Sequence, residues 1–382
     1  MFPCAVRGLA RAAWSGIPKE TWRLRSVQSG LRGLGGTRWA GLFVGASACP
    51  RTTSLISSTK WGSYGGSQGS RKRGFIITAA AFSLFSKLFD HEKEDKITES
   101  EEKIIYLLKK AKLGIMKGEF DEAEDILHQA LHLGQESDSK RAIIYTYDLM
   151  ANLAFFRGRL DDAVKLFKIT MVYMLDRGVK QNENSFIEIS LKLACIYAAQ
   201  NQYDLAVAGF QFCILNLTEK LNTDEELRDL AEEEKSNTRL LLGLCLDSYG
   251  RYLMSKEKFA DAQAVYEKAL KICKEEQGEL HPQTITLMND LATVLEAQGH
   301  HDEAFDQVSQ ALELAKKTEH TDQHVVLTNL AMILMHKGPK YFEQAEQNFK
   351  EALKQAQEKK DPASIEYILD RLSELNRNKK GR

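Results

Sequence analysis

The sequence predicts an all-α protein, an α-solenoid of about six stacked helix pairs that ends in a capping helix. An alanine recurs at intervals of 40, 43, 56, 42 and 41 residues. Each alanine is followed four residues later by a bulky apolar residue and seven residues later by a small or modest one, spacings that share one helical face. No proline interrupts the chain between Pro50 and Pro282. The recurring alanines are Ala123, Ala163, Ala206, Ala262, Ala304 and Ala345.

This pattern requires stacking because one helix pair cannot bury its own apolar face. The small residues let a neighbouring helix approach closely, and the large residue that follows fills the space beside them. We therefore expect the solenoid to span residues 104–360. Acids such as Asp121 and Asp161 follow the turn in most units, where they favour the start of the second helix.

The first 73 residues differ in composition from the rest of the chain. Nine arginines, three lysines and one acid, Glu20, give them a net charge of +11, while the remainder carries −12. All four tryptophans and twelve of the 25 glycines are also here. A segment that is rich in Arg and Ser and nearly free of acids is typical of a mitochondrial presequence. We predict that residues 1–73 are a disordered targeting presequence, with a disordered basic tail as the alternative.

A short apolar segment follows at residues 74–89, GFIITAAAFSLFSKLF. It is shorter than the ~20 residues that a membrane-spanning helix needs, so it predicts either a short span or an interfacial helix at the inner membrane. Three cations precede it, and four acids follow it within the first six residues of the charged linker, residues 90–103. By the positive-inside tendency, the solenoid is expected to face the intermembrane space. Cleavage downstream would instead remove the segment.

The last repeat is followed by a predicted capping helix at residues 361–378. Five apolar residues there form one stripe, which would cover the open end of the stack. The 56-residue interval between Ala206 and Ala262 contains the acidic segment 219–239. We interpret that segment as an extension of a helix with one solvated acidic face, and an acidic docking site is the alternative.

No catalytic constellation is evident, so we expect a protein that is not an enzyme and that needs no cofactor. The sequence has no G-x-x-x-x-G-K-[ST] phosphate loop and no G-x-S-x-G nucleophile elbow. His128 and His132 have the spacing of a zinc-binding helix, but Gln129 stands where a metalloprotease needs Glu, so we predict no metal site. An acidic solenoid disfavours nucleic acid, and no small-molecule substrate is indicated.

These units resemble the tetratricopeptide repeat, which implies a right-handed solenoid of helix-turn-helix units. That pattern places a small residue at position 8 of each unit, an aromatic near position 17 and alanines at positions 20 and 27. The spacing near 42 residues, against the usual 34, implies longer helices. Residues 278–299 are similar to the lengthened repeats of kinesin light chains. Position 8 is occupied by Ala111, Ala151, Ala194, Gly250, Ala292 and Ala331.

Residues 145–158, 188–202 and 278–299 are similar to a family of mitochondrial tetratricopeptide repeat proteins associated with respiratory complex III. The resemblance implies a protein-binding scaffold at the inner membrane that supports the integrity or assembly of the complex. Its implied partners are complex III subunits, including the Rieske iron–sulfur protein, whose fragments the family helps to clear. The alternative is a kinesin-light-chain-like or cytosolic trafficking or division adaptor, for which an Arg-rich N-terminus would be unusual.

In this repeat class, positions 2, 5, 9 and 12 of the first helix project into a concave groove. Aromatic, arginine and asparagine side chains there suit a bound peptide or helix. The alternative for Phe155 and Phe156 is packing between repeats. Leu108 and Asp148 at position 5 depart from the repeats that hold C-terminal carboxylates. The candidate groove residues are Lys112, Tyr145, Asp148, Asn152, Phe155, Lys192, Arg251 and Asn289.

Overall fold

The computed structural model describes residues 99–223 and 231–380, which are helical throughout apart from short connections. This confirms the predicted all-α solenoid. The predicted presequence, residues 1–73, and the apolar segment, residues 74–89, lie outside the described residues, as does most of the charged linker. Within the described ranges, no helix combines the length and the apolar character that crossing a membrane requires.

Six helix pairs follow one another along the described residues. The first helices of the pairs are α1 (Glu99–Lys117), α3 (Lys140–Phe156), α5 (Asn184–Ala199), α7 (Glu232–Ser255), α9 (Pro282–Ala297) and α11 (Gln323–Lys337). The second helices are α2 (Phe120–Glu136), α4 (Leu160–Asp176), α6 (Tyr203–Asn222), α8 (Phe259–Gln277), α10 (His301–Lys317) and α12 (Phe342–Glu358). A 3-10 turn at Pro339–Tyr341 precedes α12, and the terminal helix α13 spans Pro362–Lys380.

The recurring alanines lie in the second helices and face the core. All six are fully buried, as are the bulky residues four positions later, such as Phe167, Phe210 and Phe349. The close approach that they permit is visible in the first pair, where a Cβ added to Gly114 of α1 would stand 3.3 Å from the Cβ of Ala123. The alanines therefore fix the distance between the two helices of each pair.

Tight turns reverse the chain within each pair. Gly158 ends α3 with φ of 73°, and Asn201 ends α5 with φ of 56°, both in the left-handed region. Glycine adopts that region without steric cost, and asparagine tolerates it better than most residues. Acids then occupy the first turn of the second helix, as Asp161 does in α4, where they interact favourably with the helix dipole.

The first helices form the inner layer of the solenoid. Contacts join α1 to α3, α5 to α7, α9 to α11 and α11 to α13. No comparable contact joins two second helices within residues 99–223 and 231–380. At the C-terminal end, α13 packs against α12 and buries Ile368 and Leu375. First helices of neighbouring repeats therefore come closer to one another than the second helices do.

Candidate protein-binding site on the inner helices

Polar side chains join the first helices of successive repeats. Each junction from α3 to α11 carries at least one hydrogen bond or ion pair between side chains of neighbouring first helices. Most of these groups are buried, although the surrounding core is apolar. Because buried polar groups are stable only when they are paired, these contacts fix the register of one repeat on the next.

The junction between α3 and α5 is built around Asp148. Lys192 Nζ lies 2.9 Å from Asp148 Oδ1, and the Nδ2 of Asn152 donates to Asp148 Oδ2 at 3.0 Å. Lys192 Nζ also lies 5.3 Å from the centroid of the Phe167 ring, within range of a cation–π interaction. The carboxylate thus accepts two donors, and the ammonium is held between a carboxylate and an aromatic face.

Two further groups respond to Asp148 electrostatically. Burial lowers the pKa of Lys112 to about 8, and the negative charge of Asp148 opposes that shift. Burial also raises the pKa of Tyr145, and the same carboxylate adds to the effect. Asp148 is therefore the electrostatic centre of a polar cluster that spans α1, α3 and α5.

Arg251 joins α7 to α9. Its Nε lies 2.9 Å from Asp247 Oδ1, and one terminal nitrogen lies 3.2 Å from Asp290 Oδ2. Gln283 donates to the other oxygen of Asp247 at 3.1 Å. Both carboxylates raise the pKa of the guanidinium, against the effect of burial, so Arg251 is a fixed positive charge on the inner layer.

The junction between α9 and α11 uses amides and an imidazole. Asn329 Nδ2 donates to Asn289 Oδ1 at 2.9 Å, and His336 Nδ1 lies 2.5 Å from Glu296 Oε1. The hydrogen bond that His336 donates to Glu296 raises the pKa of His336, while burial opposes the shift. This end of the inner layer therefore contains a histidine whose protonated form is favoured by the fold.

The structure divides the eight candidate groove residues into two sets. Lys112, Phe155 and Arg251 are partly exposed on the inner layer. The other five were expected to face an open groove but are buried, because their side chains pack or pair at the junctions between helices. Their contact with a ligand stays a prediction. The buried candidates are Tyr145, Asp148, Asn152, Lys192 and Asn289.

Sequence reasoning missed several members of these junctions. Asp247 stands three residues before Gly250, in the register that Asp148 has before Ala151, so the repeat alignment could have found it. Its spacing of four residues from Arg251 is a second signal, because such pairs meet on one helical face. Glu296 and His336 carry no such signal, since they meet only through the packing of α9 against α11. No group of three or more His, Cys, Asp or Glu that could hold a metal ion occurs in the described part of the chain.

Two family models match the chain. One described as Tetratricopeptide repeat covers residues 244–317, and one described as Anaphase-promoting complex subunit 5 covers residues 79–156 and 319–379. The fold is similar to that of a solved structure, a signal transduction ATPase with a tetratricopeptide repeat sensor from Pyrococcus horikoshii. The TM-score is 0.56 and the sequence identity 13%, and the match covers 80% of this chain and 43% of that chain. The fold and the inner layer of first helices together define the class of this protein. It is a tetratricopeptide repeat solenoid, a class that binds other proteins.

Curated relatives narrow this class further. The human protein named Tetratricopeptide repeat protein 19, mitochondrial, is 54% identical over 320 residues, which cover 80% of this chain and 84% of the relative. Its rat counterpart is 51% identical over 311 residues, which cover 81% and 85%. The chain belongs to the tetratricopeptide repeat protein 19 family.

Proposed function

We propose that this chain is a non-enzymatic scaffold at the mitochondrial inner membrane that binds respiratory complex III. On this proposal it supports the integrity or assembly of the complex and helps to clear fragments of the Rieske iron–sulfur subunit. Membership of a mitochondrial family supports the location, and the family resemblance supplies the partner. The mitochondrial names of the relatives also favour this function over a cytosolic trafficking adaptor.

The observation that best supports a binding role is the continuous inner layer of first helices. Polar contacts hold it rigid from α3 to α11, and partly exposed side chains such as Lys112, Phe155 and Arg251 are presented on it. A preorganised surface loses little conformational entropy on binding, which favours a peptide or helix that lies across several repeats. Both cationic and aromatic anchors suit such a ligand.

The proposed attachment to the inner membrane rests on the sequence of residues 74–89. The segment is apolar and stands between three cations and four acids. This charge asymmetry supports a solenoid in the intermembrane space, since cationic flanks stay on the negative side of the membrane. Carbonate extraction and protease protection of intact mitochondria test the attachment and the orientation.

Native gel electrophoresis of intact mitochondria tests the partner. We expect the wild-type chain to comigrate with complex III. The Lys112→Glu and Phe155→Ser variants should weaken comigration about tenfold, as the loss of an interface anchor does. Lys165→Glu and Lys271→Glu, exposed on the second helices, are the matched controls and should comigrate normally. Migration of the wild-type chain only as a free monomer would overturn the proposal.

A further inference from the structure

The first helix of the solenoid exposes an apolar stripe. Tyr106, Leu113 and Met116 of α1 are 65%, 51% and 66% exposed, whereas the opposite face of the helix is buried in the core. The three side chains lie along about 15 Å of one helical face. At the other end of the molecule, α13 covers the last pair, so the two ends of the described solenoid differ.

Lysines lie beside and within this apolar stripe. Four of them are exposed on α1, and the acids Glu99 and Glu102 share their face. At 100° per residue, Lys110 and Lys117 border the stripe on the Tyr106 side, while Lys109 falls between Leu113 and Met116. Lys110 also pairs with Glu122 of α2 at 3.1 Å. A helix whose exposed apolar residues lie among lysines is typical of membrane-surface binding.

We propose that the apolar stripe of α1 docks on an anionic phospholipid surface. The three apolar side chains enter the interface between headgroups and acyl chains, with the Tyr106 hydroxyl at headgroup level. The neighbouring lysines reach the lipid phosphates, and their methylene stems lie along the apolar layer. This inference rests on the proposed function, because it requires the chain to be at the inner membrane.

The short distance to the apolar segment favours lipid over a second protein helix. Only residues 90–98 separate residues 74–89 from the start of α1. Nine residues span at most about 30 Å, so an apolar segment in the membrane keeps α1 close to the surface. Tethering makes the second contact intramolecular and raises its effective concentration into the millimolar range. A weak helix–lipid contact becomes stable under that condition.

Site-specific photocrosslinking in intact mitochondria tests the proposal. A benzoylphenylalanine replaces Leu113 in the full chain, and a matched probe replaces Val172, which is exposed on α4 away from the stripe. We expect at least about threefold more phospholipid adduct at position 113 than at position 172. A protein adduct at position 113, to a partner or to a second copy, would overturn the proposal. So would equal lipid labelling at the two positions.

A charge variant provides a second measurement that does not depend on the probe. The Lys103→Gln, Lys109→Gln and Lys117→Gln changes should lower the lipid adduct at position 113 several-fold, while the matched change of Lys165, Lys268 and Lys271 to Gln should not. Circular dichroism checks that both variants fold. Comigration with complex III separates the two proposals. If the chain comigrates with complex III but gives no lipid adduct, only the lipid-docking inference is overturned. If the wild-type chain is not located at the inner membrane, the proposed function itself is overturned.

Discussion

Lys192 Nζ lies 2.9 Å from Asp148 Oδ1, and both side chains are almost completely removed from solvent. The two residues come from the first helices of different repeats, and the segment that connects those repeats, residues 177–183, is longer than the turns within the pairs. An unpaired buried charge costs several kcal/mol, so neither residue is stable here without the other. The pair therefore specifies how the third repeat sits on the second.

Removing one member of this pair is predicted to be severely destabilising. Lys192→Met should lower the free energy of unfolding by about 3–5 kcal/mol, because Asp148 is left buried without its counterion. The double change Lys192→Met with Asp148→Leu should cost much less than the sum of the single changes. Urea unfolding monitored by circular dichroism measures both. The exposed pair Lys165–Asp162 is the control, and Lys165→Met should cost less than about 1 kcal/mol.

Three glycines within helices distinguish the effect of close packing on stability from the effect of helix propensity. A Cβ at Gly209 would stand 2.8 Å from the Ala194 Cβ, and one at Gly250 would stand 2.9 Å from the Tyr266 ring. We expect Gly209→Ala and Gly250→Ala to destabilise the fold by about 1–3 kcal/mol through overpacking.

Gly243 is the matched control, because its added Cβ would meet only Ile272 at 3.4 Å. Gly243→Ala should be neutral or stabilise the fold by up to about 1 kcal/mol, since alanine favours the helix more than glycine does. Melting temperatures of the three variants rank the effects. Equal shifts for all three would contradict the packing explanation.

The amide pair at the junction of α9 and α11 predicts an asymmetric mutational effect. Asn289→Ala removes the acceptor of Asn329 Nδ2 in a buried site and should cost about 1–3 kcal/mol. Asn329 retains a longer contact to Thr293 at 3.3 Å, which limits the loss. Thermal unfolding gives the cost, and comigration with complex III shows whether Asn289 has a binding role. Binding that weakens without any loss of stability would favour direct ligand contact.

His336 is predicted to make stability depend on pH. Its pKa is raised in the folded state by Glu296, so protonation contributes stability that is fully present below the unfolded pKa of about 6.5 and is lost as pH rises through the folded pKa. Glu374 supports the shift, whereas Arg371 and burial oppose it. The difference in unfolding free energy between wild type and His336→Asn should shrink as pH rises. A difference that stays constant from about pH 5 to pH 9 would contradict this assignment.

Comparing the wild type with this variant is necessary because His324 titrates in the opposite sense. Burial lowers its pKa, and Lys359 adds to that effect, so its protonation destabilises the folded state at low pH. Subtracting the unfolding free energies of the two proteins removes the contribution of His324, which is present in both. The remaining difference reports His336 and its partner Glu296.

Much of the fold could be predicted from the alanine spacing, because burial of a small residue every 40 residues or so leaves a periodic trace in the sequence. The candidate site could be predicted only in part. The repeat register identified position 5 residues such as Asp148 and Asn289, but it could not show that they pair with Lys192 and Asn329. Those partners lie 44 and 40 residues away, and their separation depends on the angle between repeats.

The sequence by itself determined the helix pairs, their number and the apolar face of each, because these follow from local periodicity and from the size of the residues that pack. It also determined the family, through segments such as residues 145–158. Only the tertiary structure decided which polar residues are buried in contacts between repeats and which are available to a partner. The physical reason is that burial is a property of the assembled stack, in which Lys192 is enclosed while Lys112 and Arg251 stay partly exposed.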